Sequence, residues 1–136
     1  MPEGNMMRWV GIRPTDPREA IPIQPYADFG TQIAKHVTAN NQTSIIHTVS
    51  NGKNLYLCTA TLSCLLTVTG NFCMFVRDDS DTTRYYIAYC RRQADDGICI
   101  PVTFSPPLVI PEGWDVCIWS GANGVQIQGF IFGYEV

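Results

Sequence analysis

Apolar and polar residues alternate with a period of two through most of the chain after residue 31. The longest such run begins at Leu55, and its odd positions are rich in Thr and Ser. Its even positions are Tyr56, Cys58, Ala60, Leu62, Cys64, Leu66 and Val68. This alternation predicts a strand with its even face in the core and a hydroxyl-rich outer face. The run is more than twice the usual strand length of about five or six residues, so we expect a bulge near Ser63.

Further short strands follow from the same pattern, separated by turn residues such as Asn51-Gly52 and Gly121-Ala122-Asn123-Gly124. The predicted strands cover 45–49, 72–76, 84–90, 98–104, 115–120 and 125–136, and 108–110 follows a corner at Ser105-Pro106-Pro107. The pattern over 31–37 fits a short helix or an edge strand equally well. About eight strands at this spacing predict an all-β antiparallel β-sandwich of jelly-roll-like type, with a closed barrel as the alternative.

The first 30 residues differ from the rest, because Pro2, Pro14, Pro17, Pro22 and Pro25 all fall there. Each proline removes a backbone donor and fixes φ, which excludes a long helix or a central strand. We therefore predict an extended N-terminal arm over 1–30 and a sandwich domain over 31–136. The arm is too apolar for a disordered tail, and it could pack on its own domain or on a neighbouring subunit. Its candidate interface residues are Trp9, Ile12, Ile21, Ile23 and Tyr26.

The chain is 46% hydrophobic and only 15% charged, with a net charge of −3. So few charges favour a protomer that buries surface in a homo-oligomer. The scattered basic residues argue against a nucleic-acid partner. The N-terminus lacks the features of a secretory signal, and there is no run of 18 apolar residues, so we expect synthesis in the cytoplasm and no membrane span.

The sequence contains few residues in patterns that would support catalysis or metal binding. The two histidines are His36 and His47, and His47 lies within a predicted strand, where a core or edge histidine is the common case. The six cysteines lack the paired spacing of a metal site, and we interpret most of them as small buried hydrophobes. The acidic run 78–81 could supply oxygens to Ca²⁺ but fits a solvated hairpin tip better. We expect no enzyme activity, no cofactor and no metal.

The succession of strand and turn residues over 45–136 resembles that of the small jelly-roll structural proteins of tailed phages, either capsid decoration (cement) proteins or receptor-binding heads. The resemblance rests on Gly52-Lys53-Asn54-Leu55-Tyr56-Leu57, on the run from Phe104 to Gly113, and on Gly129-Phe130-Ile131-Phe132-Gly133-Tyr134-Glu135-Val136. It implies a virion protein made in the host cytoplasm, whose partner is a capsid or tail protein. By analogy the oligomer would be a trimer that stabilises a shell.

Aromatic residues near the C-terminus offer two further hypotheses. Phe130, Phe132 and Tyr134 share one parity of the last strand, which fits a core or a subunit seam. Gln126 and Gln128 have the same parity, so the inward face could switch along that strand. Trp119 lies between polar neighbours and could face a ligand, which leaves a carbohydrate- or receptor-binding module, as in a tail fibre or spike head, as the alternative function.

Overall fold

The computed structural model describes residues 30–66, 68–93 and 97–136. The predicted arm therefore lies outside the described residues, except for Gly30. Within the described ranges every regular element is a strand, and there are eight of them. They are β1 (Thr31–Asn40), β2 (Thr43–Thr48), β3 (Leu55–Leu66), β4 (Gly70–Arg77), β5 (Thr83–Arg92), β6 (Ile98–Ile110), β7 (Asp115–Ser120) and β8 (Val125–Glu135).

The strands form two four-stranded antiparallel sheets. Sheet A has the order β1-β8-β3-β6, and sheet B has the order β2-β7-β4-β5. The pairs β1 with β8, β2 with β7, β3 with β6 and β4 with β5 are nested, as if one long hairpin were rolled up. This is the arrangement of a jelly roll. The predicted all-β antiparallel sandwich is confirmed, and the barrel alternative is wrong because the strands divide into two separate sheets.

The inward faces of the two sheets pack into one core. Its largest fully buried side chains are Phe72, Leu55, Leu57, Leu62, Met74, Ile110, Ile118, Ile127 and Ile131, with Val49 and Val76 beside them. They come from β3, β6 and β8 of sheet A, from β4 and β7 of sheet B, and from the residue that follows β2. Each large apolar side chain contributes about 1.5 to 3 kcal/mol when fully buried. The core therefore holds the two sheets together.

The parity predicted for β3 is correct only over part of the strand. Ala60, Leu62 and Cys64 are buried as expected, but Leu55 and Leu57 are also buried, and Tyr56 faces outward. The change occurs at Cys58, where the pairing of β3 with both of its neighbours shifts register. The predicted bulge thus exists at Cys58 rather than near Ser63. Val68, predicted to be in the core, is exposed beyond the end of the strand.

The proline corner of β6 explains where that bulge lies. β6 is one strand over Ile98–Ile110, and Leu57 pairs with Leu108 while Thr59 pairs with Thr103. Residues 104–107 therefore stand opposite the single residue Cys58. The Ser105-Pro106 peptide bond in this stretch is cis. Because two prolines cannot donate to the ladder, the pairing is interrupted here, and β3 changes the face it presents while the even positions of β6 on both sides of the corner stay inward.

The segment after residue 31, whose pattern fitted either a short helix or an edge strand, forms strand β1. It is a strand at the edge of sheet A, and its pairing with β8 runs without a break from Thr31 opposite Glu135 to Asn40 opposite Gln126. The short-helix alternative is therefore wrong. Ile33 and Ala39 point into the core from this edge strand.

The fold predicts opposite costs for two neighbouring substitutions on β3. Leu62 is 1% exposed, whereas Thr61 lies on the outer face of the same strand. We expect Leu62→Ala to lower the free energy of unfolding by about 2 to 5 kcal/mol because it leaves a cavity. Thr61→Ala should cost less than about 1 kcal/mol. Denaturant melts of both variants measure this, and equal costs would contradict the inward orientation of Leu62.

Candidate assembly surfaces

The outer surface of sheet A is formed by the side chains that point away from the core on all four strands. We call this surface the sheet A face. On β8 its members are Gln126, Gln128, Phe130, Phe132 and Tyr134, and on β1 they are Gln32, Ala34, His36, Thr38 and Asn40. On β3 and β6 they are Tyr56, Thr59, Thr61, Ser63, Leu65, Cys99, Pro101, Thr103 and Val109.

An aromatic column runs along β8 through the sheet A face. Phe130 is 40% exposed, Phe132 is half-buried, and the rings of Phe132 and Tyr134 meet edge to face with centroids 5.5 Å apart. Tyr56 pairs with Tyr134 from β3, and Val109 pairs with Tyr56 from β6 and is 47% exposed. Phe130 and Phe132 thus lie on the outward surface, whereas Tyr134, on the same side of β8, is only 3% exposed.

The other end of the sheet A face is polar but uncharged. A shallow pocket of about 370 Å³ lies there, lined by Thr38, Ser63, Cys64, Leu65, Gln126, Ile127 and Gln128. Gln126 and Gln128 face outward together with the aromatic column, and the odd positions of β8 face inward throughout. The inward face of this strand therefore does not switch, contrary to the alternative considered from the sequence.

The charged residues of the described ranges lie elsewhere. None of the outward positions on the four strands of sheet A is Lys, Arg, Asp or Glu. The ion pairs that join Arg77 to Asp81 and Asp115, and Arg84 to Asp78, are all on sheet B or its β4–β5 loop. An antiparallel sheet that faces water normally carries polar and charged side chains on that side. The sheet A face departs from this pattern.

The outer surface of sheet B carries a second feature, which we call the aromatic pocket. It has a volume of about 260 Å³ and is lined by Cys73, Phe75, Thr83, Tyr86, Tyr89 and Trp119. The rings of Tyr86 and Tyr89 meet edge to face with centroids 5.3 Å apart. The ring centroid of Phe75 lies 6.2 Å from that of Tyr86. Tyr86 and Tyr89 are each 56% exposed. Trp119 therefore does face outward, as its polar neighbours suggested.

Local backbone geometry holds Trp119 in this pocket. Its indole ring lies over Gly121, where an added Cβ would come within 2.5 Å of the ring. A side chain at position 121 would therefore displace the indole ring from this position. Register across the sheet then aligns Trp119 with Cys73 and Tyr89, and aligns Cys117 with Phe75 and Tyr86. Trp114 lies apart from the pocket, with the Arg84 guanidinium 5.8 Å from its ring centroid.

A buried polar network joins the two sheets at the β1–β2 edge. His47 Nε2 lies 2.6 Å from Glu135 Oε2, and Lys35 Nζ lies 3.0 Å from His47 Nδ1. An ammonium group has only donors, so Nδ1 accepts from Lys35 and the proton on Nε2 is donated to Glu135. The backbone N–H of Ser50 also donates to Glu135 Oε2, at 2.9 Å. The network thus links β1 and β8 of sheet A to β2 of sheet B.

This network is structural rather than catalytic in its geometry. His47 and Glu135 are 6% and 4% exposed, and neither lines either of the two pockets described above. Burial acts to raise the pKa of Glu135, but hydrogen bonds from Ser50 and His47 outweigh it and the pKa lies below its usual value. His47 was expected as a core or edge histidine, and the structure places it in the core beside a partner 88 residues away.

The acidic run 78–81 organises its own hairpin loop. Asp78 is buried, and its Oδ1 accepts hydrogen bonds from the backbone N–H groups of Ser80 and Thr82, at 2.9 and 3.0 Å. Its Oδ2 accepts from Arg84 Nε at 2.7 Å. The expectation of a solvated tip is therefore wrong for Asp78, whose oxygens close the turn. Among the described residues no group of three or more His, Cys, Asp or Glu side chains is placed to hold a metal ion.

The cysteines divide between the core and the surface. Cys64, Cys73 and Cys117 are buried, and burial raises the pKa of each of these thiols to about 11. A thiol with so high a pKa is a poor nucleophile at neutral pH. Cys58 and Cys90 are half-buried, and Cys99 is exposed on the sheet A face. The interpretation as buried hydrophobes holds for half of the six.

Sequence reasoning missed several members of these surfaces. Tyr56 was assigned to the inward face because its outward orientation depends on the bulge at Cys58, and Val109 was not singled out. Tyr86 and Tyr89 differ in parity, and a register shift in the pairing of β5 with β4 is what brings both of them outward. The predicted arm residues lie outside the described residues; they are Trp9, Ile12, Ile21, Ile23 and Tyr26.

No helix in the described part of the chain is long and apolar enough to cross a membrane.

Comparison with known proteins shows similarity in fold alone. No family model and no curated protein matches the chain. A pentameric capsid protein isolated from metagenomic phage sequences is 17% identical, with a TM-score of 0.46 over 92% of this chain and 69% of that chain. A chain of the cyanophage Pam1 capsid asymmetric unit is 18% identical, with a TM-score of 0.49 over 92% of this chain and 98% of that chain.

The buried network predicts an acid-dependent loss of stability. Because the pKa of Glu135 is lowered on folding, its carboxylate stabilises the folded state above the unfolded pKa of about 4.3, and this stabilisation is lost as the pH falls through the folded-state pKa. We expect Glu135→Gln to lower the free energy of unfolding at pH 7 by about 1.5 to 3 kcal/mol. The difference from wild type should shrink below about pH 4.

Urea melts between pH 3 and pH 7 measure this difference, with Glu112→Gln as the control. Glu112 is exposed and accepts one hydrogen bond from the Gly52 N–H, which the amide oxygen of Gln can also accept. Its substitution should change stability by less than about 0.5 kcal/mol at every pH. A Glu135→Gln difference that stays constant down to pH 3 would show that the carboxylate is not what stabilises this edge.

Proposed function

We propose that this protein is a non-enzymatic structural subunit that binds and stabilises a homo-oligomeric assembly. The specific role we propose is that of a capsid decoration (cement) protein of a phage virion. The observation that supports the structural role is the sheet A face, a four-stranded surface without a charged side chain. The phage context rests on the resemblance of residues 45–136 to phage jelly-roll proteins, and the trimeric state is proposed by analogy with them.

The composition of the sheet A face suits a protein interface. The cores of such interfaces are depleted in charged residues and enriched in aromatic ones. Here Phe130 and Phe132 supply exposed aromatic area, and the Thr, Ser and Gln positions supply neutral hydrogen-bonding groups. A neutral polar group costs less to desolvate than a charge, and it can find a partner across an interface. The whole face can therefore be buried without leaving an ion unpaired.

The size of this face also fits. Four strands spaced about 4.8 Å apart and about ten residues long at roughly 3.3 Å per residue cover roughly 600 Å² in projection. A standard interface buries about 800 Å² on each partner. The sheet A face could thus supply most of one side of such an interface, and adjoining loops or the N-terminal segment could supply the remainder.

A catalytic function has less support from the same surfaces. His47 and Glu135 are buried and join the sheets. Asp78 and Asp115 are also buried, and each is paired with an arginine. The two pockets described above are lined by neutral side chains, and the buried thiols have a raised pKa. General acid–base or nucleophilic catalysis needs a titratable group within reach of a substrate.

A single added charge tests the proposed interface. Gln128→Glu is nearly isosteric and places one carboxylate on the sheet A face, where burial in an interface would leave it without a partner. We expect the subunit dissociation constant to rise roughly thirtyfold or more, equivalent to about 2 kcal/mol, because an unpaired buried charge is costly. Light scattering coupled to size-exclusion chromatography over a dilution series measures the change.

Gln93→Glu is the matched control, since Gln93 is exposed after β5 and outside the sheet A face. It adds the same charge and should leave the dissociation constant within about twofold of wild type, as expected for a rim or surface position. A wild-type protein that is monomeric at all concentrations would overturn the proposed function. An oligomer that tolerates Gln128→Glu as well as Gln93→Glu would exclude the sheet A face as its interface.

A further inference from the structure

The aromatic pocket on sheet B has the lining of a peptide-binding groove. Phe75, Tyr86, Tyr89 and Trp119 form its walls, and the tyrosine hydroxyls, the Thr83 hydroxyl and the indole N–H are neutral hydrogen-bonding groups. Grooves of Tyr and Trp are the surfaces that bind proline-rich segments, because a polyproline II helix needs little ordering and offers free backbone carbonyls. The lining has no carboxylate, ammonium or guanidinium, so the occupant should be uncharged there.

The volume of the pocket argues for an anchoring side chain rather than a metabolite. At about 260 Å³ it is smaller than the roughly 300 to 1,000 Å³ of most small-molecule sites. It also lies on an open sheet surface, with Tyr86 and Tyr89 more than half exposed. One or two ring-shaped side chains from an extended chain would fill it.

The chain itself contains a segment of matching chemistry. Residues 20–27, Ala-Ile-Pro-Ile-Gln-Pro-Tyr-Ala, carry no charge and include the Pro-x-x-Pro spacing of Pro22 and Pro25. In a polyproline II helix of three residues per turn, these two prolines would lie on the same side, about 9 Å apart. The other Pro-x-x-Pro, Pro14 to Pro17, is flanked by Arg13 and Arg18 and includes Asp16, so it suits a neutral pocket less well.

Chain length decides which copy can place Pro22 against Trp119. Gly30 precedes β1 at the end where Thr31 pairs with Glu135, whereas Trp119 pairs with Thr43, just beyond the other end of β1. The ten residues of β1 separate these ends by about 33 Å. Pro22 lies eight residues before Gly30, so an extended chain can carry it at most about 29 Å from Gly30. The chain must also turn around an edge between sheets about 10 Å apart. Pro22 therefore cannot reach Trp119 of its own copy.

We propose that the aromatic pocket of one protomer binds residues 20–27 of a second copy of the chain, with Pro22 and Pro25 against Trp119, Tyr86 and Tyr89. This contact rests on the proposed function, since it requires copies to be neighbours in an assembly. It would connect each subunit to the next through sheet B, while sheet A packs elsewhere. The segment would then act as a strap between subunits.

Photo-crosslinking in the full-length protein tests this contact. Two versions of the chain are co-expressed, one with benzoylphenylalanine in place of Ile23 and the other with an affinity tag and no photoprobe. Trypsin cuts after Arg84 and Arg91, so residues 85–91 form one peptide that holds both pocket tyrosines. We expect irradiation to join the probe to this peptide of the tagged copy, as identified by mass spectrometry.

Variants and a second probe position make the result specific. Tyr89→Ala in the tagged copy, or Pro22→Ala with Pro25→Ala in the probe copy, should lower the crosslink yield by about tenfold, as for the loss of an anchor residue in an interface. The same photoprobe in place of Thr15 should not label residues 85–91. The core of the described residues is formed within 33–131, so we expect the proline variant to leave the sandwich intact in denaturant melts.

The outcomes separate this inference from the proposed function. An oligomer in which the Ile23 probe labels another site, labels residues 85–91 only within its own copy, or labels nothing would overturn the strap and leave the structural role standing. A chain that stays monomeric would overturn both. Unchanged labelling in the proline variant would show that the prolines do not make the contact.

Discussion

Burial of one side of every strand between two sheets is the constraint on which the rest of this structure depends. Because side chains alternate across a strand, the demand for an apolar inward face leaves the composition of the outward face free. β8 illustrates this most clearly. Its odd positions are small or aliphatic and fill the core up to Glu135, while its even positions carry the glutamines and the aromatic column. The residue types on the outward surfaces therefore indicate what those surfaces contact.

The two outer surfaces differ in a way that suits an assembly. The sheet A face is broad and uncharged, and it combines aromatic area with hydroxyl and amide groups. The outer surface of sheet B is aromatic only near Trp119 and is bordered by the Arg77–Asp115 ion pair and by Arg91. A broad neutral surface is suited to packing against another folded subunit, and a small aromatic pocket is suited to an extended segment. The proposed function and the proposed strap use these two surfaces separately.

The polar network at the β1–β2 edge joins the two sheets beside the apolar residues that β1 and β2 contribute to the core. β1 is an edge strand, and Lys35 lies at a position that would otherwise point toward the core. Its ammonium instead donates a hydrogen bond to His47, and His47 donates one to Glu135. A lysine at an edge also opposes unwanted pairing with another strand. The same residue thus stabilises the join between the sheets and protects the edge.

Local sequence was enough to locate most of the strands, because period-two alternation and Asn-Gly or Gly-rich turns act over a few residues. β7 was predicted with its observed bounds, and β4 and β5 within two residues at each end. Parity also places Phe130, Phe132 and Tyr134 on one side of β8, although the sequence left open whether that side meets a core or another subunit. The candidate surfaces were therefore partly visible in the sequence.

What only the tertiary structure decided depends on residues far apart in the chain. The bulge lies at Cys58 rather than near Ser63 because the proline corner of β6, more than 40 residues later, interrupts the pairing there. His47 and Glu135 meet across 88 residues, and the four walls of the aromatic pocket come from three strands aligned by register. Alternation specifies which side of a strand is apolar, but the partners that each side meets are set by pairing between strands, which local patterns do not encode.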